Sequence, residues 1–313
     1  MPERSPVASF AAMTVPETFS AERRPASRTA FLIRVAAGVF ALAAMLSTAA
    51  PDARALDDST YPNWKGQWMR VGTGQGAAWD PTKPGGRGQQ APLTPEYQAI
   101  FEENLRDQAA GGQGTDPSYR CIPAAMPRVM IAVQPMEIVI TPETTYVMLE
   151  LFSTLRRVFT DGRNFPKEFE PSYSGYSIGK WEDADGDGRF DTLVVETRGI
   201  KTPHSYDSSG IPFHADGEAV IKERIYSDKA NPNILHNEVT SIDNALTRPW
   251  TVTRSYRRSN NPQPSWAEYI CTEDNHHVRI GSENYILSGD GLLMPVRRGQ
   301  PAPDLRYFKE TNR

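Results

Sequence analysis

The chain has 313 residues, with 34 Lys and Arg against 38 Asp and Glu, a formal net charge of −4, and two cysteines, Cys121 and Cys271. An acidic surface repels phosphate backbones, and no basic cluster carries interleaved aromatics, so the composition argues against a nucleic-acid partner.

Residues 28–55 open with Arg28 and Arg34, continue through an apolar run from Ala36 to Met45, and end on Ala53-Arg54-Ala55. A basic flank, about ten apolar residues and an A-x-A site are the parts of a secretory signal peptide. A membrane span needs about 20 apolar residues, and Arg34 and Asp52 interrupt the stretch first. The expectation is a signal peptide over 1–55, cut near Ala55, and a periplasmic or secreted mature chain with no later span. The removed piece holds six arginines and four acids, which leaves 28 basic against 34 acidic residues and a net charge of −6. Both cysteines fall in the exported part, where thiols oxidise, so a Cys121–Cys271 bridge is expected. Two free thiols are the alternative. Neither cysteine has a His or Cys at zinc-finger spacing.

Residues 56–92 are rich in Gly, Pro and Gln and read as an irregular arm held by its tryptophans. Trp64, Gly66 and Trp68 resemble the G-x-W opening of lipocalin-type barrels, in which the Trp plugs one barrel end. Thr94 as N-cap, Pro95 at the first helical position and Tyr97, Ile100, Phe101 and Leu105 on one face predict a helix that stops at Gly111-Gly112 and packs on a barrel wall or rim. From Met136 the chain reads as a strand meander. Runs at Met136–Ile140, Thr145–Leu151, Leu155–Thr160, Leu193–Thr197, Ala219–Ser227, Ile234–Ile242 and Trp250–Arg257 are rich in β-branched and aromatic residues and parted by turn residues. The fold class is therefore all-β, an antiparallel lipocalin-like barrel or strongly curved sheet, with residues 93–313 as a single domain. Trp68 in an early strand and a final Asn284–Leu287 segment are candidates to close it. Thr202–Gly217 is too long for a hairpin loop and reads as a lid.

Asp183, Asp185, Asp187 and Asp191, with Gly188 between them, reproduce positions 1, 3, 5, 9 and 6 of a calcium loop. Position 12 is Val194 in place of a bidentate Glu, and a strand follows where a helix would be expected, so affinity suffers; any Ca2+ there is structural. Gly175-Tyr-Ser177-Ile-Gly179 matches G-x-S-x-G, but that motif needs a helix after the Ser, and Lys180-Trp181-Glu182 runs into the acidic turn. The glycines read as bends in a strand.

Period two puts Glu223 on the buried face with Ile221 and Ile225, opposite Lys222 and Arg224. Glu150 shares a face with Tyr146 and Met148. A carboxylate on an inward face needs a cation or stays protonated, and Arg156, Arg157, Arg163 and Arg224 supply cations. Among the histidines, His204 and His214 sit in the lid, His236 in a strand, and His276 and His277 after Cys271, with no zinc spacing. His214 beside Asp216 is the leading general-base candidate, with Glu223 and Asp161 as further carboxylates.

The ordered series Cys121-Ile-Pro123, Met126-Pro127-Arg128, Arg156-Arg157, Asp161-Gly162-Arg163, Gly175 to Trp181, Asp191 to Thr197, Glu223-Arg224, Arg248-Pro249-Trp250 and Glu268 to Asn275 resembles a widespread family of exported bacterial proteins that has no established activity. The resemblance spans most of the mature chain. It implies export and linkage of the two Cys-bearing motifs, and no catalytic residues. Thr272 stands where that family carries His, and the acidic segment Asp183–Gly188 extends a hairpin that is shorter in it.

These features together point to a protein that binds, or converts, a small and largely apolar molecule in a barrel cavity lined by Glu150, Arg157, Arg163, Glu223, Arg224 and Trp250. The rival reading is a structural or envelope-interaction protein whose barrel is filled by its own side chains. Cavity volume separates the two.

Overall fold

The computed structural model describes residues 59–72, 78–271, 277–281, 283–288 and 290–304. The expected signal segment lies outside them. Nine strands close into a barrel: β1 (Gln67–Arg70), β2 (Met136–Ile140), β3 (Thr144–Leu149), β4 (Thr154–Phe159), β5 (Tyr176–Glu182), β6 (Thr192–Arg198), β7 (Val220–Ser227), β8 (Ile234–Ile242) and β9 (Trp250–Arg258). β1 pairs with β2 on one side and with β9 on the other, which closes the ring. Neighbours are antiparallel except β4 and β5, which run parallel and meet at Val158↔Ser177 and Phe159↔Ile178. The chain must therefore return along the outside of the wall between Thr160 and Gly175. There Phe165 and Phe169 pack against Tyr176, with ring centroids 5.9 and 5.2 Å apart.

Three more strands, β10 (His277–Ile280), β11 (Glu283–Leu287) and β12 (Leu293–Pro295), form a separate sheet. Asn284–Leu287, expected as a possible barrel-closing segment, belongs to that sheet instead. β1, which holds Trp68, closes the ring as expected, although it lies in the stretch read as an irregular arm.

The strands alternate as a one-sided wall should. In β7, Ile221, Glu223 and Ile225 are buried while Lys222 and Arg224 are exposed. The interior is full. Val158, Leu193, Leu235 and Val239 from three strands are each 0% exposed, so no water-sized void touches them.

The pairing directions put the β6–β7 and β8–β9 connections at one end of the barrel and the β5–β6 and β7–β8 turns at the other. At the second end Trp64 and Trp68 are buried as a plug. Trp64 donates from Nε1 to Ser227 at 2.8 Å and packs 5.0 Å from Trp181, and Arg258 lies 4.3 Å over the Trp68 ring.

The segment expected as a lid does lie across the first end. It is a packed closure, since Tyr206 and Ile211 in it are 0% exposed. Tyr206 stacks 5.2 Å from Trp250 and 5.7 Å from Trp79 and donates its hydroxyl to Asp243 at 3.1 Å. Asp207 accepts the Trp79 N–H at 3.2 Å.

The one α-helix among the described residues, α1 (Pro95–Ala109), is capped by Thr94 and starts on Pro95. It sits on the same rim: Thr94 N–H donates to the Ala245 carbonyl at 2.9 Å, and the Asn104 amide to the Ser209 carbonyl at 2.5 Å. Cys121 and Cys271 are bonded, with Cα atoms 5.5 Å apart and 150 positions between them. The bond ties the segment before β2 to the segment after β9.

Candidate functional site

The centre of the barrel holds a polar cluster. Glu223, on β7, faces inward as its period predicts, and it pairs with Arg156 on β4; both side chains are 0% exposed. Arg156 donates to both carboxylate oxygens, at 3.0 Å from Nη1 and in a shorter contact from Nη2. It donates also to Thr197 Oγ1 at 3.1 Å. Asn237 donates to Glu223 at 2.9 Å, and Ser177 and Thr197 share a 2.8 Å hydrogen bond. Ser177 is thus a barrel-filling side chain, far from the exposed turn a nucleophile elbow requires. Nearby, Tyr256 donates to the Met130 carbonyl at 2.7 Å, and burial pushes its phenol up to about 12. With no void beside it, this cluster holds the wall together and leaves no room for a ligand.

The expected cavity-lining set does not converge. Arg157 and Arg224 are exposed on outward positions of β4 and β7. Glu150 lies in the β3–β4 turn, where it accepts the Ala267 N–H at 3.0 Å; the inward residues of β3 are Thr145, Val147 and Leu149, one position out of step with the face assigned to Glu150. Arg163 and Asp161 pair with each other in the exposed loop after β4, and the Arg163 hydrogen bond holds the Asp161 carboxyl below its usual range. Arg163 lies 4.0 Å over Phe159. Trp250 is buried in the packed closure.

His214 and Asp216 do meet, with Nδ1 2.9 Å from a carboxylate oxygen, and Asn244 donates to the same carboxylate at 2.6 Å. Burial raises the Asp216 pKa, but the Glu218 N–H, Asn244 and His214 together outweigh it and leave the carboxyl below its usual range. The His214 ring packs 5.1 Å from Tyr97. Beneath them His204 is buried against Phe213, with ring centroids 3.9 Å apart, and neither ring nitrogen has a hydrogen-bond partner. Burial lowers its pKa to about 3 from 6.5; the Lys201 backbone works against this, and nearby Arg128 adds to it. His276 and Thr272 lie outside the described residues.

The β5–β6 turn brings Asp183, Asp185 and Asp187 together, with one oxygen of each within 4.8 Å of the others. Asp183 organises the turn by accepting the N–H groups of Gly186, Asp187 and Gly188 at 2.7, 3.1 and 2.9 Å. Gly188, with φ +88°, takes the left-handed bend that a side chain would resist. Asp191 is drawn into the same turn through the Ala184 N–H at 3.2 Å. The three grouped carboxylates could hold a cation.

An apolar opening that sequence reasoning missed lies beside the disulfide. It is a groove of about 410 Å³ whose walls include Tyr119, Ile131, Val133, Phe152 and Tyr269, with Arg128 at its polar side. Arg128 is fixed by Asp116 at 2.6 and 2.8 Å and by Ser205 at 3.0 Å. Phe152 and Ser153 both take left-handed backbone, with φ 55° and 46°, and this aims the Phe152 ring at Tyr269, 4.9 Å away. Consecutive non-Gly residues in that region cost on the order of 1–3 kcal/mol each. Aromatic residues in turns, off the strand period, were the sequence signal for this groove. No protein-family model matches the chain, and no curated protein is similar to it.

Removing one partner of the central pair leaves a buried charge uncompensated. Glu223→Gln is expected to lower stability by about 3–5 kcal/mol, whereas the double variant Arg156→Met with Glu223→Leu loses far less than the sum of the single changes. Urea unfolding midpoints of the wild type, Glu223→Gln, Arg156→Met, Glu223→Leu and the double variant measure this.

The buried His204 makes stability fall on acidification. Below about pH 6.5 the unfolded chain takes up a proton that the folded state refuses until about pH 3, a difference on the order of 5 kcal/mol at the acid limit. Asp207 and Asp243 are raised by burial and act in the opposite sense. A His204→Phe variant, compared with the parent by thermal melts between pH 7 and pH 4, should show the flatter loss of stability.

Proposed function

We propose that the protein is exported and captures a small, largely apolar molecule in the groove beside the Cys121–Cys271 bridge, with the filled barrel as a rigid support. The observation that carries this reading is the contrast between a barrel centre without free volume and an aromatic-walled groove of about 410 Å³ outside it. That volume falls in the range of small-molecule sites, which are mostly apolar with a few fixed polar groups. Arg128, locked by Asp116 and Ser205, is such a group. Strained backbone at Phe152 is the kind of local cost that persists where function needs it. Export is supported by the disulfide, and among the described residues no helix is long and apolar enough to cross a membrane.

Native mass spectrometry of protein purified from an oxidising compartment should find a bound small molecule. Val133→Arg, at a position 47% exposed and therefore harmless to the core, and Phe152→Ala should each lose it. A ligand retained in both variants overturns the reading.

The acidic turn is proposed as a structural calcium site. Calcium held by Asp183, Asp185 and Asp187 would pin the β5–β6 hairpin. Binding to the native state alone adds about 2.7 kcal/mol at a hundredfold excess over Kd. Melting curves with calcium and with chelator should separate, and Asp185→Ala should bring them together.

A further inference from the structure

On the outer face of the barrel, near the acidic turn, β7, β8 and β9 set three polar side chains in a line. His236 and Ser255 are opposite partners in the β8–β9 register, and Tyr226 is the partner of His236 on β7. His236 Nδ1 lies 2.9 Å from Ser255 Oγ, and its Nε2 lies 3.1 Å from Asp228 Oδ2. Asp228 opens the β7–β8 turn and is itself held by the N–H groups of Ala230 and Asn231 at 2.9 and 2.8 Å. Its hydrogen bond with His236, the largest influence on it, keeps its carboxyl below the usual range.

We propose that Ser255 is a nucleophile of acyl transfer, with His236 as its general base and Asp228 as the residue that positions and polarises the imidazole. The carboxylate decides the tautomer. A negative oxygen at Nε2 favours the proton there, so Nδ1 presents its lone pair to the serine hydroxyl. The order of groups is that of a Ser–His–Asp relay, with the two ring nitrogens exchanged; such relays are recognised by geometry and roles and not by position in the chain.

One further feature sets this line apart from a cross-strand polar contact. A groove of about 1,010 Å³, lined by Arg224, Tyr226, Asp228 and His236, opens at the Asp228–His236 end of the line.

The substrate class is a small carboxylic ester. Ser255 Oγ bonds to the ester carbonyl carbon as its proton passes to His236 Nδ1. The bond from that carbon to the alkoxy oxygen then breaks, and the same proton leaves on the alcohol. Water, deprotonated by Nδ1, attacks the acyl-serine, releases the carboxylic acid and returns the proton to Ser255. The imidazolium formed between these steps is stabilised by Asp228.

The experiment is labelling of the full mature protein with a fluorophosphonate probe, with the site read by peptide mass spectrometry, alongside hydrolysis of p-nitrophenyl acetate. The wild type should carry the probe on Ser255. Ser255→Ala should carry none and lose hydrolysis. His236→Gln should slow labelling by about 100-fold. Asp228→Asn should slow it and move the pH of half-maximal labelling downward, a change that a merely structural role would not produce. Thr253→Ala, an exposed neighbour on the same strand, should label as the wild type does. Circular dichroism of each variant confirms the barrel. An unlabelled wild type, label on another residue, or equal hydrolysis in Ser255→Ala overturns the assignment, and none of these outcomes bears on binding in the groove beside the disulfide.

Discussion

A ring of strands in which every neighbour is antiparallel must hold an even number of them, because direction alternates around the ring. This ring has nine. One neighbouring pair is therefore obliged to run parallel, and it is β4 with β5. The segment from Thr160 to Gly175 exists because of that constraint: a parallel neighbour is reached only by carrying the chain back along the barrel, and the return is fastened to the wall by Phe165, Phe169 and Tyr176. The parallel pair also fixes which connections share an end. It places the β6–β7 and β8–β9 segments, the helix and Trp79 over one mouth, and the acidic turn and the Trp64–Trp68 plug at the other.

With both mouths closed, the interior can only be a core. Its polar part works because it is paired. Arg156 and Glu223 pair across the barrel, and Asn237 and Thr197 take up further hydrogen-bonding positions, while Arg156 Nε and Asn237 Oδ1 stay without a partner. A buried ion pair of this kind is weak evidence for net stability, since desolvation offsets much of the attraction. It does make the arrangement of β4, β6, β7 and β8 specific, because any slip in register would bury a charge without its partner. The same pairing explains why a carboxylate on an apolar face here is no mark of a ligand site.

The grooves and the remaining polar clusters lie outside the barrel and at its rims. The groove beside the disulfide takes its walls from the segments around Tyr119, Ile131, Phe152 and Tyr269, held by Arg128 and by the Cys121–Cys271 bond. The His236 line uses a different device, the close approach of side chains on opposite partners in an antiparallel pair, where the rigid sheet fixes distances that loops would leave loose. His214 and Asp216 sit on the closure itself, above an unpaired buried His204, so the titratable groups of that end act on its stability.

The sequence by itself determined the wall. Period-two alternation in Ile221 to Ile225 placed Glu223 inside and Arg224 outside, and Asp183 to Asp191 marked an acidic turn, because both patterns depend only on neighbours within a few residues. Thr94-Pro95 marked the start of the helix for the same reason. The tertiary structure alone decided that Glu223 meets Arg156, 67 positions away, that Gln67–Arg70 and not Asn284–Leu287 closes the ring, and that Phe152 faces Tyr269. It also decided that Glu150, one residue beyond its strand, left the face that its spacing implied. These contacts join segments far apart in the chain through strand register and closure, and no local period carries that information.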